Sequence, residues 1–276
     1  MTMHYRPIVT LTTLLALAGC ASPGGYYEDD GPHRRAQVDV ARVPDAVPRD
    51  EPPSAGGNRP YTVFGVSYRP LASARGYRER GVASWYGKKF HGRLTSNGER
   101  YDMYAMTAAH KTLPLPSYVR VRNLNNGKSV VVRVNDRGPF RENRLIDLSY
   151  AAASRIGIVG TGTGIVEVEA VSGDEPAVRV ATAPAPVAII PSAQAASAPQ
   201  LYLQAGAFTS RDNAEALRNR LAGAEFRPVH IEPAEVDGVT VYRVRLGPFA
   251  SVEDSDQVAA RASNAGFGTP IVVVEP

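Results

Sequence analysis

The chain has 276 residues, which corresponds to one or two domains, and its single cysteine excludes an intramolecular disulfide and a four-cysteine zinc site. Its 43% hydrophobic content and its mean hydropathy of −0.21 are typical of a soluble globular protein. The net charge of +4 and the pI near 9.2 indicate an anionic partner, without choosing among nucleic acid, a membrane and a cell wall.

The first twenty residues predict an export signal. An apolar run at 8–18 follows Arg6, and it is too short to span a bilayer, which requires about 20 residues. The run ends in Leu17-Ala18-Gly19-Cys20, which resembles a bacterial lipobox whose cysteine is acylated; a buried free cysteine is the alternative. By resemblance to lipoprotein sorting, the absence of Asp after Cys20 favours a periplasm-facing anchor in the outer membrane over inner-membrane retention.

Composition divides the rest of the chain. Residues 21–60 are rich in Pro, Gly and charge and are predicted to form a disordered tether, and 173–199 form an Ala/Pro-rich linker. Two compact domains remain, at 61–172 and 200–276. The first has 17 basic and 8 acidic residues, net +9, and the second has 7 and 10, net −3. The small overall charge therefore conceals a strongly basic middle domain.

The middle domain is predicted to be a small β-barrel. Residues 119–124 alternate apolar and polar, and an Asn-Gly turn joins them to a valine-rich run at 129–134, which is a strong hairpin signal. The other predicted elements are strands at 82–86 and 165–170 and a helix at 147–156 with Asp147 or Ser149 as N-cap.

A set of motifs in this domain resembles the rare lipoprotein A family. They are Gly81-Val-Ala-Ser-Trp-Tyr-Gly87, Phe90-His-Gly-Arg93, Thr95-Ser-Asn-Gly-Glu99, Met106-Thr-Ala-Ala-His110, Leu113-Pro-Leu-Pro116, Asn135-Asp-Arg-Gly-Pro139 and Asp147-Leu-Ser149. The resemblance implies a six-stranded double-psi β-barrel, of the kind found in expansins. It also implies a lytic transglycosylase that cuts peptidoglycan glycan, preferring strands without stem peptides.

The candidate catalytic residues are Asp136, Glu99, Asp102 and His110. A lytic transglycosylase needs one acid with a raised pKa, since the sugar's own 6-hydroxyl can attack and leave a 1,6-anhydro end. Asp136 is the predicted acid. The alternative is that Asp136 is only a turn residue before Arg137-Gly138-Pro139. Glu99 and Asp102 are predicted to raise the pKa of Asp136 or to orient the substrate. The alternative is that each is a solvated side chain. The resemblance favours a groove role for His110 over that of a satisfied structural histidine.

The last domain contains an internal repeat. Gly206-Ala-Phe208 and Gly247-Pro-Phe249 recur at an offset of 41 residues, and each unit is predicted to be strand, helix, strand. Two such units predict a ferredoxin-like βαβ–βαβ domain. The segments Leu201-Tyr-Leu-Gln-Ala-Gly-Ala-Phe208 and Val241-Tyr-Arg-Val-Arg-Leu-Gly-Pro-Phe249 resemble the sporulation-related repeat (SPOR) domain. That family binds denuded glycan at the division septum. The resemblance makes the sheet face the ligand surface, with these candidates: Gln204, Phe208, Arg243 and Arg245.

Two details of this sheet follow from the residues themselves. Val244 and Leu246 should point into the core, which leaves Arg243 and Arg245 on the open face. For Phe208 and Phe249, the alternative to a ligand contact is that the side chain packs in the hydrophobic core.

Together the two resemblances imply an endolytic lytic transglycosylase of MurNAc–GlcNAc bonds, acting at the septum, and we expect no cofactor and no metal. Peptidoglycan and the outer membrane are the expected partners, with amidases and division proteins as further candidates; the export signal argues against nucleic acid. A catalytically inactive glycan-binding lipoprotein and a structural link between membrane and wall are the alternatives.

Overall fold

The computed structural model describes residues 38–173 and 199–275. The predicted signal at 1–20 with Cys20, residues 21–37 of the predicted tether and 174–198 of the predicted linker lie outside the described residues. No helix within the two described ranges is long and apolar enough to cross a membrane.

The middle domain is a closed six-stranded barrel, as predicted. Its strands close in the order β3-β7-β4-β6-β5-β8. Their bounds are β3 Arg78–Tyr86, β4 Thr107–His110, β5 Ser117–Asn123, β6 Ser129–Asp136, β7 Ile146–Ser149 and β8 Gly164–Ala170. The pairs β3–β7 and β4–β6 are parallel, and the other neighbours are antiparallel. A separate hairpin, β1 Tyr61–Val63 and β2 Val66–Tyr68, precedes the barrel.

Alternation of side chains fills the barrel interior. Val130, Val132 and Val134 of β6 are almost fully buried, because every second residue of a strand points to the same face. The β5–β6 hairpin is confirmed, with Arg122 paired to Ser129. The predicted helix is α1, Tyr150–Ile156. Its N-cap is Ser149, whose hydroxyl accepts from the Ala152 amide at 3.2 Å, so Asp147 is free of that role.

The prediction of a disordered tether is wrong for residues 38–60. A short 3₁₀ helix at Val40–Arg42 starts this segment, and Val40, Val43 and Ala46 pack against the barrel core. Glu51 then pairs with Arg133 of β6 at 2.7 Å. Few apolar residues suffice here because the barrel supplies the surface on which the segment packs, so the folded unit begins before residue 61.

The C-terminal domain has the predicted ferredoxin-like order. Its elements are β9 Gln200–Phe208, α2 Arg211–Gly223, β10 Val229–Val236, β11 Val239–Phe249, α3 Val252–Asn264 and β12 Ile271–Glu275. The sheet order is β10-β11-β9-β12, all antiparallel. Ser210 and Ser251 cap the two helices by accepting amide hydrogens at 3.5 Å and 3.0 Å.

The Gly-x-Phe repeat has a packing reason. A Cβ added at Gly206 would lie 2.9 Å from the Phe208 ring, and one added at Gly247 would lie 3.1 Å from the Phe249 ring. Each glycine therefore leaves space for the phenylalanine two residues later. Both phenylalanines pack against the hydrophobic core, which favours the core alternative for Phe208.

Candidate active-site groove

Two carboxylates flank one residue on the outer face of the barrel. Ala109 of β4 pairs with Asp147 of β7 on one side and with Asp136 of β6 on the other. The preceding residue, Ala108, belongs to the barrel interior, so Ala109 and its two partners face outward. Two interstrand spacings put the Cα atoms of the two aspartates about 10 Å apart. We call this surface of β3, β7, β4 and β6 the groove.

A β-bulge turns Asp136 toward the groove. The register passes from Ala108 opposite Val134 to Ala109 opposite Asp136, so Asn135 is the extra residue. Without it, Asp136 would share the inward face of Val134. The bulge therefore puts the predicted acid on the accessible side of the wall.

Asp136 is held by three donors that converge on one oxygen. Its Oδ1 accepts from the Ser96 amide at 2.8 Å, the Ser96 hydroxyl at 2.6 Å and the Arg137 amide at 2.7 Å. Arg137 is itself fixed, because its buried guanidinium donates to the carbonyls of Gly57 and Leu113 at 2.9 Å and 2.6 Å. This arrangement suits a fixed carboxylate that accepts hydrogen bonds.

Asp147 is a groove carboxyl whose pKa is raised. Burial raises its pKa to about 6, against the opposing effects of a hydrogen bond from the Ser84 hydroxyl and of the charges of Arg144 and Lys111. The negative charge of Asp136 adds to the increase. A carboxyl with this pKa can donate a proton near neutral pH.

An apolar floor lies beneath the two carboxylates. Tyr86, Tyr101, Met103 and Ala109 form a buried cluster there, with the Tyr86 and Tyr101 rings stacked at 4.1 Å between centroids. Burial raises the pKa of Tyr86 well above its usual value, and Tyr101, Asp136 and Asp147 add to it. Both carboxylates therefore lie close to this apolar floor, which limits the access of water.

Glu99 and Asp102 have hydrogen-bond partners other than this pair. Glu99 accepts from Arg133 at 2.8 Å and from Asn135 at 2.9 Å. Burial opposes ionisation, but these hydrogen bonds outweigh it and lower the pKa of Glu99. Asp102 is exposed and accepts from the Tyr104 amide at 2.9 Å. Glu99 thus holds the bulge residue Asn135, while Asp102 orders its own turn.

His110 is placed as a structural residue beside the groove. It is 2% exposed, and its Nδ1 accepts from the amides of Thr112 and Leu113 at 3.1 Å and 3.0 Å. The other nitrogen lies 2.9 Å from the Tyr77 hydroxyl. Burial, followed by the charges of Lys111 and Arg137, lowers the pKa of His110 to about 3. The neutral ring holds the loop whose carbonyls bind Arg137, and so it supports Asp136 indirectly.

In the C-terminal domain the prediction for Arg245 is wrong as regards exposure. Val244 and Leu246 are buried in the core as predicted, and Arg245 lies on the opposite face, but only 2% of its surface is exposed. Glu232 and Glu275 both form ion pairs with its guanidinium. Glu232 of the neighbouring strand β10 and Glu275 of β12, on the far side of β9, therefore cover this arginine.

The other candidates of that face are more accessible than Arg245. Gln204 and Arg243 are partly exposed, on β9 and β11. They remain the glycan-contact candidates of the sheet.

The sequence interpretation missed Asp147 as a groove residue, because it was assigned to the start of a helix. Ile146-Asp147-Leu148 alternates apolar, polar, apolar, and this is a signal for a strand with an outward-facing carboxylate. The run is only four residues long and continues directly into α1, so a helical interpretation absorbed it.

The chain thus combines a closed barrel, which carries the two-carboxylate groove, with a βαβ–βαβ module. Residues 78–170 match the family described as lytic transglycolase, and residues 197–274 match the SPOR domain family.

Full-length relatives share both domains. "Endolytic peptidoglycan transglycosylase RlpA" of Pseudomonas aeruginosa (strain UCBPP-PA14) is 44% identical over 93% of this chain and 88% of the relative. The protein of the same name from Vibrio cholerae serotype O1 is 43% identical over 97% and 96%. The crystal structure of the RlpA SPOR domain from Pseudomonas aeruginosa is 37% identical over 28% of this chain and 99% of that chain, with a TM-score of 0.26. The chain belongs to the RlpA family of endolytic peptidoglycan transglycosylases, which confirms the predicted family and enzyme class.

Proposed function

We propose that the protein is an endolytic lytic transglycosylase that cleaves MurNAc–GlcNAc bonds of peptidoglycan and leaves 1,6-anhydro-MurNAc ends. The observation that carries this proposal is the pair Asp136 and Asp147, on the same face of the barrel and on either side of Ala109. Family membership supports the substrate, since the relatives are named for peptidoglycan.

The two carboxylates divide the proton transfers. Protonated Asp147 donates its proton to the glycosidic oxygen as the bond from that oxygen to C1 of MurNAc breaks. The 6-hydroxyl of the same MurNAc attacks C1 and gives its proton to the Asp136 carboxylate. The new bond joins O6 to C1, and no water is consumed. Our sequence prediction assigned both transfers to Asp136, and this remains the alternative.

Asparagine variants test the assignment. Asp136→Asn and Asp147→Asn keep the size of each side chain and remove its acid–base chemistry, so each should lower the rate of cleavage by at least about 100-fold. Exposed Asp102→Asn is the matched control and should retain most of the activity. Denuded sacculi are digested with the purified chain, and the released fragments are analysed by mass spectrometry.

Each outcome has one meaning. Full activity of Asp147→Asn would return both proton transfers to Asp136. Full activity of Asp136→Asn would remove it from the reaction. Products with reducing ends would indicate a hydrolase. An inactive wild-type chain that still binds sacculi would favour the glycan-binding alternative.

We further propose that the remaining parts of the chain bring the groove to its substrate. Acylation of Cys20 would anchor the chain in the outer membrane, facing the periplasm. The SPOR domain would bind denuded glycan at the division septum and raise the local substrate concentration by tethering. Amidases would then supply the substrate, because removal of stem peptides produces the strands that the domain binds. The net +9 of the middle domain favours approach to an anionic wall polymer.

A further inference from the structure

The β1–β2 hairpin has one apolar and one polar face. Tyr61 pairs with Tyr68 and Val63 pairs with Val66, so these four side chains share a face. Thr62 and Ser67, whose hydroxyls lie 3.1 Å apart, occupy the other. The hairpin forms its own two-stranded sheet outside the barrel, and Val66 is 51% exposed. A pair of short strands therefore presents an apolar surface.

The turn of this hairpin contains an unusual residue. Phe64 has a φ of +50° and is 89% exposed, and Gly65 has a φ of +80°. The β10–β11 turn has the same geometry, with φ of +50° at Asp237 and +77° at Gly238, and valines flank both turns. Asp or Asn is the favoured residue at the first position of such a turn. The first hairpin has instead a large aromatic ring in a costly backbone conformation, without the compensation of burial.

The hairpin is attached next to Asp136. The Tyr61 hydroxyl donates to the carbonyl of Lys111 at 2.8 Å, and the Arg137 guanidinium lies 5.8 Å from the Tyr61 ring centre. Burial raises the pKa of Tyr61 to about 12, and the nearby charge of Asp136 contributes to the increase. The Tyr61 end of the hairpin is therefore continuous with the groove.

An aromatic cluster connects the two. The Tyr61 and Tyr68 rings stack at 5.1 Å, and Phe140, four residues after Asp136, packs against them at 6.1 Å and 5.9 Å. Val66 lies on the same face as the two tyrosines, and Phe64 follows it at the exposed turn that ends the hairpin. Contiguous exposed apolar surface beside a groove marks a binding site more often than scattered apolar residues do.

We propose that Phe64, Val66 and Tyr68 form a subsite that binds a sugar ring of the glycan strand on the Asp136 side of the cleaved bond. This inference rests on the proposed function, because it identifies where the substrate lies. The C–H face of a pyranose and the methyl of an N-acetyl group are apolar, and they match an aliphatic and aromatic surface. A polymer lying in the groove has to continue past its end, where this surface begins.

The turn comparison supplies a test variant that preserves the fold. Phe64→Asn removes the ring and installs Asn-Gly, the favoured sequence for this turn, so the hairpin should form at least as well. Val66→Thr removes an apolar surface while keeping a β-branched residue. Val47→Thr makes the same exchange at another exposed valine, outside the hairpin, and is the matched control.

Denuded glycan oligosaccharides of defined length are cleaved by the full chain, and KM, kcat and the positions of cleavage are measured. Loss of one aromatic contact should raise KM about two- to tenfold in Phe64→Asn, with kcat nearly unchanged. The positions of cleavage should shift along the oligosaccharide, because a subsite on one side of the bond is lost. Val66→Thr should change KM in the same direction, and Val47→Thr should not.

Unchanged KM and unchanged cleavage positions in Phe64→Asn and Val66→Thr would overturn the subsite while leaving the proposed function in place. If the wild-type chain releases no anhydro ends, the proposed function fails, and the subsite is judged by binding. In that case the Gly65 amide signal is followed by NMR as an oligosaccharide is added to the full chain. A shift that Phe64→Asn reduces supports the subsite, and an unmoved signal overturns it.

Discussion

Replacing Asp147 by Asn should stabilise the barrel, and more so at neutral than at acidic pH. The folded-state pKa of Asp147 is raised from 3.8 to about 6, so the native state binds this proton more tightly than the unfolded state does. The free energy of unfolding therefore falls as pH rises from 3.8 through 6. The full cost of keeping an ionised Asp147 buried is reached above that range. Asparagine resembles the protonated carboxyl and avoids the cost. From the two pKa values, the gain in unfolding free energy is about 1 kcal/mol at pH 4.5 and about 3 kcal/mol at pH 7.5.

The barrel contains its own probe for this measurement. Trp85 is the only tryptophan of the chain and is 7% exposed in the barrel core, so its fluorescence reports the unfolding of this domain. Urea denaturation of the wild type, Asp147→Asn and the exposed control Asp102→Asn at the two pH values gives the comparison. A gain for Asp147→Asn that is equal at both pH values would refute the reasoning, as would a loss at pH 7.5.

Two further predictions concern the N-terminal segments. A hydrogen bond from Arg133 is the largest cause that lowers the pKa of Glu51 to about 2, so the stabilisation is present above pH 4.5 and is lost as pH falls toward 2. Allowing for solvent screening, Glu51→Gln should cost about 1–2 kcal/mol at pH 7 and less at pH 3 in the same urea assay, whereas exposed Asp50→Asn should cost little; an equal loss at both pH values would contradict the ion pair. Cys20→Ala should move the protein from the outer-membrane fraction to the soluble periplasmic fraction, and an unchanged distribution would argue against acylation.

Local patterns predicted the elements well because each of them is stabilised by neighbouring residues. The Asn-Gly turn between β5 and β6 and the cap Ser149 depend on residues within four positions of one another, and the structure confirms them. Such signals require no knowledge of the rest of the fold.

The groove was predicted only in part, because it depends on pairing across the barrel. Alternation along β6 puts Asp136 on the inward face of Val134, and only the bulge at Asn135, formed against β4, reverses this. The raised pKa of Asp147 likewise comes from burial in the folded barrel, which its neighbours in the sequence do not indicate. Arg245 was expected to be exposed on the open face. Its burial was missed because its two acidic partners come from other strands, β10 and β12. For Asp136 and Arg245 the deciding partner lies on another strand.

The shared neighbour of the two carboxylates has a consequence for regulation. Asp136 and Asp147 both take their positions from Ala109, so their separation is set by the hydrogen-bond ladders of a closed barrel and not by a loop. Such ladders open together with the global unfolding of a domain. The pair is therefore assembled whenever the barrel is folded, and it has no partly assembled resting state. Control of an enzyme built in this way has to act on which glycan reaches the groove, and not on the geometry of its carboxylates.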